Sequence, residues 1–323
     1  MTVIPSELVH KILDYHAADS RSLKACSLVC REWVFRSRSH LFETCSLWPS
    51  KILGFCDLLQ SPNCTLIPHV RTIRDLKHYG PQDYYSFNKI AADLGRLPNV
   101  RELEMTLTAI YRPEEIVPFL RAAFSRVTRI TFTFAWQRLP LVSIICLFPA
   151  LQELHIRGAG TPKDTPADAV PPQDLRSVTL SDQSVGPILA WLDAMDHLPK
   201  VHSLKLPHLH RSDVPIVCAA LQRLAGSLHH LEFAVDALTV LDLSLHPNLR
   251  TLHISDASWA YCDTNQMIPL MTKLVAPALE HLTLELDLGL TVYQSLNWAA
   301  LDAFLSSAGF PLPTEGYLQM QDT

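Results

Sequence analysis

A short pattern of apolar and polar positions recurs eight times between residues 100 and 284. Each instance reads apolar-x-x-apolar-x-apolar, as in Leu151-x-x-Leu154-x-Ile156. The last two apolar residues are two positions apart, so they lie on one side of a short strand, and the residue between them points to the other side. The eight instances begin at Val100, Val127, Leu151, Leu175, Val201, Leu228, Leu249 and Leu279. The pattern therefore predicts eight short strands, each with one apolar and one polar side.

The spacing of these strands predicts a repeat fold. The middle apolar residues of successive instances are between 21 (Leu231 to Leu252) and 30 (Leu252 to Leu282) positions apart. Helix-like returns lie between them at residues 113–124, 187–195, 213–224 and 292–305, and parallel neighbouring strands need such crossovers. Because one strand cannot bury its apolar side alone, equivalent strands must stack. We expect an α/β fold in which residues 69–308 form an irregular leucine-rich-repeat solenoid with a curved parallel sheet.

The first 48 residues carry apolar positions at helical spacing instead. The stripes are Leu8, Ile12 and Tyr15 beside Val9, Leu13 and His16, and then, after a polar break, Leu23, Cys26, Cys30 and Trp33 beside Ala25, Leu28 and Val29. Two short helices with apolar residues on more than one side cannot bury all of this surface against each other, and so short a segment is too small to fold alone. One side must therefore contact the rest of the chain or a partner.

This segment resembles an F-box. The resemblance is carried by Ile4-Pro5-x-Glu7-Leu8, Ile12-Leu13, Asp19-Ser20-x-x-Leu23, Cys26-x-Leu28-Val29-Cys30-Arg31-x-Trp33 and an exit segment Arg38-x-x-Leu41-Phe42-Glu43. It implies a small helical module that binds a Skp-type adaptor and, through it, a cullin-RING ubiquitin ligase. By position, it implies that the adaptor surface, or the layer just behind it, comprises Pro5, Leu8, Ile12, Leu23, Leu28, Val29 and Trp33. The repeats also resemble the degenerate leucine-rich repeats that often follow F-boxes.

The predicted organisation has four parts. Residues 1–48 form the F-box-like helical module, 49–68 a linker, 69–308 the solenoid and 309–323 a polar tail. Val70-x-x-Ile73-x-x-Leu76 is an irregular first repeat. Residues 158–174, rich in glycine, proline and short polar side chains, are an insertion that we expect to be a mobile loop.

The polar side of the predicted strands is the candidate target-binding surface. It comprises Glu104, Arg129, Thr131, Glu153, His155, Arg157, Thr179, Lys205, Glu232, His253 and Thr283. Such a mixture of charge, hydroxyl and imidazole suits a protein's polar surface, with specificity from placed hydrogen bonds and charge pairs. The alternative is that these are only solvated sheet residues.

Composition narrows the classes of function. The 323 residues are 48% hydrophobic and carry a net charge of −5, which makes neither nucleic acid nor a membrane an obvious partner. No apolar run reaches the roughly 18 residues that span a bilayer, and the N-terminus lacks a secretory signal. We therefore expect a cytoplasmic or nuclear protein with its eight cysteines reduced.

Motifs for catalysis or cofactor binding are missing from the sequence. It contains no phosphate-binding glycine loop, nucleophile elbow or HExxH motif. The fifteen histidines have no cysteine or acidic partner at ligand spacing, so we expect neither a metal nor a cofactor.

Three hypotheses remain. The first is a non-enzymatic substrate receptor of a ubiquitin ligase. The second is a repeat scaffold whose N-terminal module only caps its own repeats, which requires residues 1–48 to be fully packed with no exposed apolar patch. The third is an α/β enzyme, which requires a deep pocket with converging polar groups.

Overall fold

The computed structural model describes residues 5–78, 90–107, 113–134, 140–158, 169–209, 211–234, 242–255, 277–285 and 297–306. Within these ranges the chain forms an α/β fold with one ten-stranded sheet, in which the strands follow chain order. The paired strands are parallel. The predicted fold class, a helical N-terminal module followed by stacked parallel strands with helical returns, is confirmed.

The strands and helices of the described ranges are short. The strands are β1 Thr44–Ser46, β2 Thr72–His78, β3 Glu102–Leu107, β4 Arg129–Phe134, β5 Glu153–Arg157, β6 Ser177–Ser181, β7 Ser203–His208, β8 His230–Ala234, β9 Thr251–Ser255 and β10 His281–Glu285. The helices are α1 Ser6–Tyr15, α2 Ser20–Cys26, α3 Arg31–Glu43, α4 Pro49–Gln60, α5 Pro113–Ala123, α6 Leu141–Ile145, α7 Val185–Ala194, α8 Val214–Leu224 and α9 Trp298–Ser306.

The chain divides into two compact units. Unit 1 comprises Met1–Ala135 with Leu147–Leu151, and unit 2 comprises Trp136–Cys146 with Gln152–Thr323. Helices α1–α5 and strands β1–β4 belong to unit 1, and the remaining helices and strands belong to unit 2.

The eight strands predicted from the repeat pattern are β3–β10. In β3 the burial alternates along the strand, with Leu103 and Met105 buried and Glu102 and Glu104 only partly covered. Residues at equivalent positions of the repeat are paired between neighbouring strands, so that Leu154 lies beside Val178 and Val178 beside Leu204. Within each unit the buried positions therefore stack from strand to strand into an apolar layer, which is what a repeat needs in order to bury its one-sided strands.

The N-terminal helices of unit 1 have a core of their own. Val9, Leu13 and Leu23 are buried together, and the partly buried Cys26, Trp33 and Leu41 pack against them. Helix α2 begins at a capping aspartate, Asp19, whose carboxylate accepts hydrogen bonds from the backbone N–H groups of Arg21 (3.0 Å) and Ser22 (3.2 Å).

A charged contact joins the first and third helices. Asp14 of α1 accepts hydrogen bonds from Arg36 and His40 of α3, each at 2.7 Å. These two donors hold the pKa of the Asp14 carboxyl below its usual range.

Two elements differ from the sequence-based expectations. The exit segment of the helical module ends in β1, which pairs with β2 through Thr44 beside Thr72. The segment 49–68, predicted to be a linker, contains helix α4, because Ile52, Cys56 and Leu59 recur at helical spacing and are buried. The predicted domain boundaries stay a prediction.

The predicted first repeat, with Val70, Ile73 and Leu76, is present as β2. Its irregular spacing has a structural counterpart, since the register with β3 shifts between Ile73 and Leu76. Asp75, within this bulge, has a φ of 56°. One additional residue is thus accommodated without turning the apolar side chains away from the interior.

Some predictions fall outside the described residues. They include most of the insertion predicted to be mobile (159–168) and the polar tail (309–323). The end of the insertion is described, and it is anchored: the Ala169 carbonyl accepts a hydrogen bond from the Trp191 indole at 2.8 Å, and the Val170 carbonyl accepts one from the Cys146 thiol at 3.3 Å. Among the helices of the described ranges, none combines the length and hydrophobicity that a membrane crossing requires.

Adjacent residues of α1 provide a test of the helical core. Leu13 is fully buried whereas Ile12 is 44% exposed. We expect Leu13→Ala to lower the free energy of unfolding of the helical module by about 2–4 kcal/mol, because it removes core packing and leaves a cavity. Ile12→Ala should cost less than about 1 kcal/mol. Hydrogen exchange of peptides from residues 5–43 in increasing urea would measure both, and equal costs would contradict this core.

Candidate functional site

Large apolar side chains remain exposed on the N-terminal helices. On α1, Leu8 is 51%, Ile12 44% and Tyr15 87% exposed, and after α2, Leu28 is 86% and Val29 62% exposed. These residues come from the stripes beside the buried one, because the helical core already closes on Val9, Leu13 and Leu23. We call Leu8, Ile12, Tyr15, Leu28 and Val29 the apolar face.

The seven residues that the F-box resemblance assigns to the adaptor surface separate into two groups. Pro5, Leu8, Ile12, Leu28 and Val29 are exposed. Leu23 is buried and Trp33 is half-buried in the helical core, so these two lie behind the apolar face. Tyr15 was recognised in the helical stripe but was not among the predicted adaptor residues, although the i, i+3 spacing from Ile12 places it on the same side of α1.

The predicted target-binding residues lie on the outward side of the strands. In unit 1, Glu104 pairs in register with Thr131, and Arg129 donates a hydrogen bond to Glu102 at 2.8 Å. In unit 2 one row crosses six strands: His155, Thr179, Lys205, Glu232, His253 and Thr283 are neighbours in the register of β5–β10. Since adjacent strands lie about 4.8 Å apart, the register brings these six side chains together.

Charged partners lie side by side in the middle of this row. The Lys205 ammonium lies 2.9 Å from the Glu232 carboxylate, and His253 lies 3.7 Å from Glu232 on one side of its ring and 3.3 Å from Glu285 on the other. His253 and Lys205 together lower the pKa of Glu232 to about 2. The interaction with Glu232, reinforced by Glu285, raises the pKa of His253 in spite of its burial.

Glu153 and Arg157 complete the set of predicted residues in unit 2. Glu153, at the start of β5, lies 3.8 Å from the His155 ring. Arg157, at the end of β5, is exposed. Both strand ends therefore carry charge, but of opposite sign.

A depression of about 580 Å³ extends from the middle of β5–β8 to the ends of β5, β6 and β7. Its lining comprises His155, Arg157, Gly158, Thr179, Ser181, Asp182, Lys205, Pro207, His208 and Glu232. Half of these residues, Gly158, Ser181, Asp182, Pro207 and His208, were not predicted. They follow the last inward apolar residue of their strands, and that position is the only sequence signal that could have identified them. A second depression, of about 210 Å³, lies over β7–β10.

Local backbone geometry shapes the first depression. Gly158 has a φ of 99°, in the left-handed region that favours glycine, and its N–H donates a 3.1 Å hydrogen bond to the Ser181 hydroxyl. The Ser181 hydroxyl in turn donates to the Ile156 carbonyl at 3.3 Å. The Ser181 hydroxyl thus links the backbone at the end of β5 to the end of β6. Within the described ranges, no group of three or more His, Cys, Asp or Glu side chains is placed to hold a metal ion.

Comparisons with known proteins leave the family open. No family model and no curated protein matches the chain. Among solved structures, it is similar to one described as "Crystal structure of TLR13-ssRNA13 complex", with 13% sequence identity and a TM-score of 0.33. That match covers 70% of this chain and 27% of the other, so the chain spans about a quarter of that structure's length. A likeness this remote carries no argument, and the fold rests on the strands described above.

The cluster of Lys205, Glu232, His253 and Glu285 predicts a pH dependence of stability. A raised pKa of His253 contributes stability that is fully present below the pKa of unfolded histidine, about 6.5, and lost as the pH rises through the folded pKa. The lowered pKa of Glu232 contributes stability that is present above the pKa of unfolded glutamate, about 4.3, and lost as the pH falls towards about 2. Both contributions are therefore present between about pH 4.3 and 6.5.

We expect His253→Gln to lower the free energy of unfolding at pH 5.5, on the order of 1 kcal/mol, and to have a much smaller effect at pH 9. Urea unfolding at the two pH values would measure this difference. In a Glu232→Gln background the difference should shrink, because only Glu285 then faces the imidazolium. A cost of His253→Gln that is the same at both pH values would contradict the assignment.

Proposed function

We propose that this protein is the substrate-recognition subunit of a Skp-cullin-F-box-type ubiquitin ligase. The apolar face of the N-terminal helices binds a Skp-type adaptor, and the outward side of the strands binds a target protein. The chain performs no bond chemistry in this role. It raises the effective concentration of target lysines near the ligase.

The observation that carries the proposal is the exposure of the apolar face. Leu8, Ile12, Leu28 and Val29 occupy the positions that the F-box resemblance assigns to adaptor contact, and each leaves at least 44% of its surface in water. Large apolar side chains exposed together are typical of interaction sites. A module that only caps its own repeats would cover them with residues of the same chain.

The helical core supports the same division of roles. Leu23 is buried and Trp33 half-buried against Val9 and Leu13, so they fix the positions of the helices that present the apolar face. Substituting either one would disturb the fold as well as binding. Tests of adaptor binding therefore belong at the exposed positions.

The strands support the second half of the proposal. The outward row of unit 2 contains charges of both signs, hydroxyls and imidazoles, and Lys205, Glu232 and His253 hold one another in defined positions. Side chains that are ordered before binding lose less entropy when a partner docks. The row therefore suits recognition of a polar protein surface.

Adaptor binding can be tested with charge substitutions on the apolar face. We expect the purified chain to co-elute with a recombinant Skp-type adaptor, and Leu8→Asp and Leu28→Asp each to weaken binding by about a hundredfold or more, because each buries an unpaired carboxylate at the interface. Leu58→Asp is the matched control. Leu58 is as exposed as Leu8 but lies on α4, outside the proposed surface, so binding should be unchanged.

Two outcomes would defeat the proposal. One is failure of the folded wild-type chain to bind the adaptor. The other is binding that survives both Leu8→Asp and Leu28→Asp, with circular dichroism showing that the variants are folded.

A further inference from the structure

The first depression of unit 2 contains a buried hydroxyl without a partner. Thr179 is only 7% exposed, and among the described residues its Oγ1 has no hydrogen-bond partner. Its neighbour two positions along the strand, Ser181, uses its hydroxyl fully in bonds to Gly158 and Ile156. A buried hydroxyl that is left unbonded costs free energy, and a ligand or water that bonds to it recovers this cost. Thr179 therefore marks a point in the depression where a polar ligand atom is favoured.

Nitrogen-bearing side chains surround this hydroxyl on neighbouring strands. His155 and Lys205 are the register neighbours of Thr179 on β5 and β7. His208 is the register neighbour of Ser181, and Arg157 precedes the glycine whose N–H bonds to Ser181. All four line the depression, so potential hydrogen-bond donors converge on it from two strands flanking β6.

The lining carries two cations, Arg157 and Lys205, and two carboxylates, Glu232 and Asp182, so an anion would be held by unused donor groups rather than by an excess of positive charge. Glu232 is paired with Lys205 at 2.9 Å and also interacts with His253. One acceptor engages only part of the donor capacity of Lys205, since an ammonium has three donors. Arg157 forms no ion pair within the described part of the chain and contributes a guanidinium fork, which matches phosphate geometry. Asp182 is the opposing charge of the lining and limits the affinity for anions.

We propose that this depression binds a phosphate group. The Arg157 guanidinium and the Lys205 ammonium supply charge, the Thr179 hydroxyl donates a hydrogen bond from the floor, and His208 contributes a further donor at the rim. The phosphate belongs either to a phosphorylated side chain of a protein or to a small phosphate ester, and both share this chemistry.

The first experiment uses the full chain and inorganic phosphate. Thermal unfolding at pH 7 in 20 mM phosphate is compared with chloride at equal ionic strength. We expect a higher midpoint in phosphate, because ligand binding to the folded state stabilises it, and loss of this increase in Arg157→Gln. Equal midpoints in phosphate and chloride would overturn the proposal.

The second experiment separates binding from folding. Thr179→Val keeps the shape of the side chain and removes only the unpaired hydroxyl, so the midpoint in chloride should be unchanged or higher while phosphate affinity falls about tenfold. Thr131→Val, at the equivalent outward position of β4, is the matched control and should leave phosphate affinity unchanged. Wild-type affinity in both Thr179→Val and Arg157→Gln would overturn the site.

A pair of peptides identifies the source of the phosphate. Calorimetry compares Gly-Gly-Gly-phosphoserine-Gly-Gly-Gly and its unphosphorylated form with inorganic phosphate. Tighter binding of the phosphopeptide than of phosphate assigns a protein side chain, and equal or weaker binding assigns a small phosphate ester. The phosphate site goes beyond the ligase proposal and is tested independently of it. The phosphate titrations need no adaptor, and Leu8→Asp should leave phosphate affinity unchanged.

Discussion

The parallel register of the strands is the constraint on which this structure depends. A strand with apolar residues on one side only is stable when equivalent strands lie beside it, and in-register stacking is what aligns Leu154, Val178 and Leu204 into one buried layer. The same register fixes the outward side chains. His155, Thr179 and Lys205 are neighbours because the residues that precede them, Leu154, Val178 and Leu204, are buried in register. The chemistry of the polar side is therefore a consequence of how the apolar side packs.

In the N-terminal helices, too, the packing of the core determines which side chains are exposed. Their core closes on one stripe of each helix, with Leu13 and Leu23 buried and Trp33 half-buried. The neighbouring stripes then have no place in that core, and Ile12 and Leu28 stay in water. Helices that are apolar on two sides thus bury one stripe and leave the other exposed, whereas the strands separate an apolar interior from a polar exterior.

Much of the fold could be predicted from the sequence, because the period of two in β3–β10 and the helical spacing in α1 and α2 are local signals. Strand β1 could not, since three residues with no buried side chain carry no such pattern. Helix α4 carries the helical signal in Ile52, Cys56 and Leu59, but the prolines and serines on either side of it favoured a linker. The sequence also predicted which side of the N-terminal helices and which side of the strands would form the candidate surfaces. The depression was not predicted, because it depends on a register shift after Thr179 and on the turn at Gly158, which only tertiary structure sets.

Charge compensation distinguishes two kinds of polar residue on the outward side. Glu232 is fully compensated by Lys205 and His253, and its lowered pKa, about 2, reflects how well its neighbours stabilise the ionised form. The ion pairs of Glu232 contribute to the stability of the folded sheet, and the Lys205 ammonium keeps donor capacity beyond its pair with Glu232. The Thr179 hydroxyl lacks a hydrogen-bond partner among the described residues, so the free energy lost when it leaves water is not recovered in the folded protein. A buried hydroxyl without a hydrogen-bond partner, in a depression lined by donors, is a stronger indication of ligand binding than charge. Charged side chains are ordinary on a sheet surface, whereas an unbonded buried hydroxyl is rare.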